Sequence, residues 1–303
     1  MGALKVIPPL SITDSNLTSS NVPETDYGAW SSGTTYNLGD RVIITTPNVH
    51  KIYESLQASN SNKPPATNPT WWIEVSATNR WKMFDLSNST ATQNTDSIVV
   101  TITPSRVING VTLIGLVAQS VRIKLTDPVD GIVYDKTTNL NNNGNINNWY
   151  NYFFDPISRR TVLVATDLPA YGSAVLEITI TNTGGTAECA TCVVGSIKYI
   201  GEGIELGASV GIQDYSRKEI DDWGNYQLVK RNYSKRAKFS MAVLNTQIDA
   251  LQELLASLRA TPCVWIGDNN YASTVIYGFY KDFDVVINYH TVSDCNLELE
   301  GLT

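Results

Sequence analysis

Histidine occurs only twice in this 303-residue chain, at His50 and His290, and cysteine only at Cys189, Cys192, Cys263 and Cys295. Two histidines leave few ways to build a nucleophile–base–acid triad, and each sits on or beside a strand-like segment where a structural role is expected. The Cys189-x-x-Cys192 pair lacks a second pair at metal-ligand spacing, and four scattered cysteines do not make a disulfide framework in a chain this long. Long apolar runs are missing too: Val111 to Ala118 falls well short of the ~20 residues of a membrane-spanning helix. The opening Met1 to Leu10, with one lysine and the Pro8-Pro9 break, does not read as a secretory leader. An excess of positive charge is absent, the formal net charge being −7. The single basic cluster, Lys230-Arg231 with Lys235-Arg236 and Lys238, therefore suits a solvated strand face or an acidic protein partner better than nucleic acid. A phosphate-binding Walker loop and a His-Glu-x-x-His helix are absent.

What is present points to folded β structure. Hydrophobic residues make up 42% and charged residues 17%, a composition that folds, and the length allows two or three units. Residues 1–25, broken by Pro8, Pro9 and Pro23, read as an extended N-terminal arm of the kind that crosses a neighbouring subunit. Residues 26–83 concentrate Tyr27, Trp30, Tyr36, Tyr53, Trp71, Trp72 and Trp81 around two alternating strands, and predict a small three-stranded aromatic module. Residues 84–194 carry short strands at sandwich spacing, punctuated by Pro104, Asp127-Pro128, Gly172 and Gly184-Gly185, and predict a central jelly-roll β-sandwich; Asn139 to Asn148 reads as a loop. Residues 195–303 predict a C-terminal β-sheet domain with one packed helix over 246–259. Its apolar positions Ile248, Leu251, Leu254, Leu255 and Leu258 recur at helical steps, with Asn245 as N-cap and Pro262 beyond. The strands expected after it are Cys263 to Ile266, Thr274 to Tyr280, Phe283 to Tyr289 and a closing Asn296 to Glu300.

The chemistry-bearing candidates are of two kinds. Aromatic rings offer flat apolar faces that stack on sugar C–H groups, which makes Trp30, Tyr36, Tyr53 and Trp72 candidate carbohydrate-binding residues; the competing reading is that a sheet this small buries its rings as core. Paired carboxylates could serve glycoside hydrolysis, and Asp214, Glu219, Asp221 and Asp222 cluster, as do Asp282 and Asp284. The first set reads as a turn at Asp221-Asp222-Trp223-Gly224. The second alternates with Phe283 and Val285, like the wet face of a strand. No catalytic residue, cofactor or metal is expected.

The order Ala29-Trp30, Tyr36, Gly39-Asp40-x-Val42, Tyr53, Pro65 and Trp71-Trp72 resembles the small chitin- and cellulose-binding modules of chitinases. In that family an exposed aromatic pair closely follows the second-strand tyrosine, whereas here Tyr53 is followed by Glu54-Ser55-Leu56-Gln57-Ala58. Over nearly the whole chain, the succession Thr78 to Asp85, Trp149 to Phe154, Asp214-Tyr215-Ser216, Pro262-x-Val264-Trp265-Ile266 and Tyr277 to Phe283 resembles bacteriophage tail proteins that join such a module to a sandwich and a C-terminal sheet. The resemblance implies a non-enzymatic virion subunit of the tail tip or baseplate, assembled in the host cytoplasm. Its implied partners are other tail proteins, copies of itself and a host-surface glycan. A stand-alone glycan-binding adhesin and a polysaccharide-degrading tail enzyme are the alternatives.

Overall fold

The computed structural model describes residues 2–141, 148–154, 158–268 and 271–302. The chain is mainly β, 51% strand and 9% helix. Among the described residues no helix is long and apolar enough to cross a membrane. Six residues of the expected Asn139–Asn148 loop, 142–147, lie outside the described residues.

Two sheets face each other across the middle of the molecule. A five-stranded antiparallel sheet runs, in spatial order, Gly131–Asn139, Ser120–Asp127, Val175–Cys189, Thr92–Ile102 and Leu17–Ser20; a three-stranded sheet runs Val162–Ala165, Gly110–Ile114, Thr191–Gly195. Alternate residues of both turn inward to one apolar cluster that includes Ile98, Val100, Ile123, Leu125, Ile178, Val111, Leu113 and Val194. The period-two pattern legible in Val121-Arg122-Ile123-Lys124-Leu125 has this burial as its cause. Gly184-Gly185 does not end its strand. The chain passes through that pair with a register shift between Asn182 and Thr186, and Val175–Cys189 runs on as one fifteen-residue strand.

The C-terminal sheet runs Lys198–Ile200, Leu4–Ile7, Cys263–Ile266, Val275–Val286, Val292–Gly301, Tyr233–Leu244 and Gly203–Ile204, with Ser209–Asp214 also paired to Tyr233–Leu244. Helix Ile248–Ser257 covers one face through Leu251, Leu255 and Leu258, packed with Phe239, Met241 and Trp265. The three-stranded sheet covers half of the other face, where Ile7, Val264, Ile266 and Tyr277 meet Val193, Ile114 and Val162. That sheet is thus buried on both sides, which is why all five residues of Thr191–Gly195 are inaccessible.

Three expectations need correction here. The N-terminal arm is extended but not free: Leu4, Val6 and Ile7 are fully buried in an interior strand of the chain's own C-terminal sheet, and Leu17–Ser20 edges the sandwich. The prolines that break helix leave an extended strand intact, and the apolar alternation of Leu4, Val6 and Ile7 suits an interior position. The C-terminal sheet is therefore discontinuous in sequence. The α-helix begins at Ile248, because Asn245–Gln247 forms a 3-10 turn; the Asn245 side chain bonds Tyr289 and Ser293 rather than capping. The two strands expected over Thr274 to Tyr280 and Phe283 to Tyr289 are one, Val275–Val286, with a register shift between Tyr280 and Asp282.

Candidate functional site

The aromatic segment folds as an antiparallel sheet of Arg41–Ile44, Lys51–Ser55 and Trp72–Ala77, with a small ladder between Thr35–Tyr36 and Asn60–Ser61. Gly39 turns the chain into the first strand with φ +86°, a conformation that favours glycine. The candidate sugar-binding rings divide. Tyr36, Tyr53 and Trp72 are buried and, with Val42, form the core; Trp30, Ile44 and Trp71 pack against it half-buried. The Trp72 ring is only 2% exposed, meets Tyr36 edge-on at 5.2 Å and donates its Nε1–H to the Lys63 carbonyl at 2.7 Å. The Tyr36 hydroxyl accepts the Ser31 amide proton at 2.8 Å. Burial also raises the Tyr53 hydroxyl above its ordinary pKa, Glu74 adding to the shift and Lys51 opposing it. A stacking face made of Tyr36, Tyr53 and Trp72 is therefore corrected: a sheet with few other apolar residues uses its rings as core. Of the four candidates only Trp30 keeps a partly open ring.

Beside this module lies a cluster that its residues' spacing in sequence conceals. His50, buried and at φ +46°, places Nδ1 2.8 Å from Glu24 Oε1 and Nε2 2.8 Å from Asp14 Oδ2, and its ring stacks on Trp81 at 4.3 Å. The Thr78 hydroxyl donates to the same Glu24 oxygen at 2.6 Å, and Arg80 lies 3.7 Å from the other. Both imidazole bonds form together only when both ring nitrogens carry hydrogen or one carboxyl does. The two nitrogens point to opposite sides, so the group ties three segments together and does not converge on a metal. Among the described residues no cluster of His, Cys, Asp or Glu is arranged to hold one. All four cysteines are free and buried, and burial pushes Cys189 and Cys263 up to about 12.

Two of the carboxylate candidates are engaged in local structure. Asp221 closes a turn: its side chain accepts the amides of Trp223 at 3.0 Å and Asn225 at 2.7 Å, and these bonds, that of Asn225 foremost, hold it below the ordinary carboxylate range. Asp214 likewise takes the Ser216 amide at 2.9 Å and the Lys218 ammonium at 3.0 Å. The sequence also spells a nucleophile elbow, Gly207-Ala208-Ser209-Val210-Gly211. Its serine opens an antiparallel strand opposite Lys238 rather than a strand-to-helix turn, so the context that activates such a serine is missing.

A little-covered part of the molecule surrounds the turn at Asp221. Ser209–Asp214 pairs with Tyr233–Lys238 of the C-terminal sheet, and beyond Arg236, where the pairing with Val292–Gly301 stops, the two strands run on as a ribbon continued by the ladder of Arg217–Ile220 with Tyr226–Val229. Every residue of those last two strands is exposed. Trp223 is 89% exposed and Tyr226 71%, and Ile220, Leu228 and Ile212 are open as well. Comparison with protein-family models, curated proteins and solved structures gives no match. The functional reading therefore rests on these geometries.

Proposed function

We propose that the chain is a structural subunit of a bacteriophage tail, at the tail tip or baseplate, which assembles with other tail proteins and with copies of itself and contributes to attachment at a host-surface glycan. The observation that carries the assembly reading is the ribbon over residues 209–233. A two-stranded hairpin is marginal in water by itself, and one that holds Trp, Tyr, Leu and Ile in solvent needs a partner to cover them. The phage-tail setting comes from the resemblance of the motif order, with which the layered architecture agrees. The strand order of the central sandwich supports the finer jelly-roll reading: the four strands Gly131–Asn139, Ser120–Asp127, Val175–Cys189 and Thr92–Ile102 lie opposite Val162–Ala165, Gly110–Ile114 and Thr191–Gly195, and the chain changes sheet at most connections. Leu10, whose amide donates to the Val194 carbonyl at 2.7 Å, runs where a fourth strand of the smaller sheet would lie.

For glycan attachment the rings still open to solvent are Trp30, Trp71 and Tyr27, with Lys63 Nζ 5.6 Å from the Trp71 ring centre and the Arg41 guanidinium 5.9 Å from that of Tyr27. Mass spectrometry of purified tail particles tests the main reading. The polypeptide is expected as a stoichiometric component, and its absence overturns the proposal.

A further inference from the structure

The C-terminal sheet has a bare half-face on the Leu244 side of Lys238. The outward side chains there are Asp282, Asp284 and Val286 on one strand, Asp294, Asn296 and Glu298 on the next, and Lys238 and Ser240 on the third. A shallow depression of about 240 Å³ lies among Lys238, Ser240, Asp282, Asp284, Asn296 and Glu298. Lys238 is engaged by Glu298 at 3.1 Å, while Asp282 and Asp284 have no ion-pair partner among the described residues. Beyond them the strand ends in an exposed apolar run of Val286, Ile287 and Tyr289.

The ribbon carries the complementary sequence of chemistry. Cross-strand pairing puts Ile220 opposite Tyr226 and Lys218 opposite Leu228, so one face presents Ile220, Tyr226 and Leu228 beside Lys218, whose ammonium is held by Asp214, with Trp223 at the tip. Next along the chain come Lys230 and Arg231, exposed and without ion-pair partners among the described residues, whereas Arg217 and Lys218 are held by Glu219 and Asp214. A cationic pair followed by an apolar stretch thus faces an anionic pair followed by an apolar stretch, at similar separations along strands that rise about 3.3 Å per residue. The ribbon cannot reach its own sheet's bare face. The ladder from Ser209↔Lys238 to Asp214↔Tyr233 carries it past the Tyr233 end of the strand, away from Lys238 and Ser240, with which Asp282 and Asp284 lie level across Glu298 and Asn296.

We infer that the ribbon of one copy docks on the bare half-face of the C-terminal sheet of a second copy, Lys230 and Arg231 against Asp282 and Asp284, and the ribbon's apolar face over Val286 and Ile287. Donor and acceptor are different surfaces of one chain, so the contact is heterologous and builds a ring or a filament. This names the partner surface of the assembly reading and rests on it.

The test is sedimentation velocity of the full chain carrying K230E/R231E, D282K/D284K, or both pairs. All four positions are exposed, so thermal unfolding is expected to match the parent. Like charges brought together cost several kcal/mol, so each pair alone is expected to weaken self-association roughly a hundredfold, and the four together to restore it. An equimolar mixture of the two variants is expected to associate as the parent does, since the parent cations of one meet the parent carboxylates of the other and the reversed pairs attract likewise. A parent chain that stays monomeric overturns the inference, as does a mixture that stays monomeric. So does loss of association on Leu228→Glu while D282K/D284K has no effect, which would mean ribbons pairing with each other. If the chain is found in tail particles and the charge variants still associate like the parent, the docking inference falls while the assembly reading stands.

Discussion

The aromatic module and the ribbon are both small β elements rich in tryptophan and tyrosine, and they use those rings in opposite directions. In the module Tyr36, Tyr53 and Trp72 turn inward and close a core; on the ribbon Trp223 and Tyr226 stay in water. The module has a third strand and a loop, Asn60 to Thr70, to cover its rings, and even the Trp72 N–H finds the Lys63 carbonyl. The ribbon has two strands and nothing above them. Ring density alone therefore marks a place where burial is needed; whether the chain itself supplies the cover decides between core and interface.

The largest effect that sharpens this contrast is expected from Trp72→Ala. Removing a buried tryptophan costs about 3–5 kcal/mol, through lost transfer free energy and the cavity left behind. Denaturant unfolding checks it, and a variant as stable as the parent would dissolve the distinction between the two regions. A somewhat smaller loss is expected from Gly195→Ala. A Cβ at that position would lie 2.2 Å from the Pro8 carbonyl oxygen, so the N-terminal segment must move away from the sandwich, at a cost of about 1–3 kcal/mol. Unfolding curves with two transitions in this variant would show that the N-terminal segment couples sandwich and C-terminal sheet.

The joint between module and sandwich has a pH dependence of known sign. At Asp14 burial raises the pKa, but the His50 hydrogen bond, the Asn48 amide and the charges of His50 and Arg80 outweigh it and leave the carboxyl below its ordinary value of 3.8. A depressed carboxyl stabilises the fold fully above that ordinary value, and the contribution is lost as pH falls below it through the folded-state value. Glu24 and Arg80 face the same ring, and Lys51, Glu74 and Asp85 line the adjoining hollow. Asp14→Asn is expected to lower the melting temperature near neutral pH and to converge on the parent toward pH 3; a constant offset across that range would assign Asp14 a purely steric role.

Much of this was readable from the residues. Period-two alternation located Val121–Leu125 and Ala174–Ile180, and the Leu251, Leu255 and Leu258 spacing located the helix, because in each case burial of one face imposes the period. Two things escaped for the same reason. Leu4–Ile7 joins a strand more than 250 residues away, and His50 meets acids 36 and 26 residues earlier, so local pattern carries no trace of either partner. The burial of Tyr36, Tyr53 and Trp72 escaped differently: alternation shows that a ring lies on one face of a strand but not which face is covered.

The smallest expected stability change closes the comparison from the other side. Trp223→Ala removes the most exposed large ring among the described residues, 89% open, and the bonds that hold the turn come from Asp221 to backbone amides. Substitutions at such positions stay within about 0.5 kcal/mol, so unfolding of the monomer is expected to be unchanged. Self-association is expected to weaken all the same, because a tryptophan that contributes nothing within its own chain can contribute only where another surface covers it. A Trp223→Ala variant that unfolds earlier while associating normally would place the ring inside its own fold and remove the difference between ribbon and module.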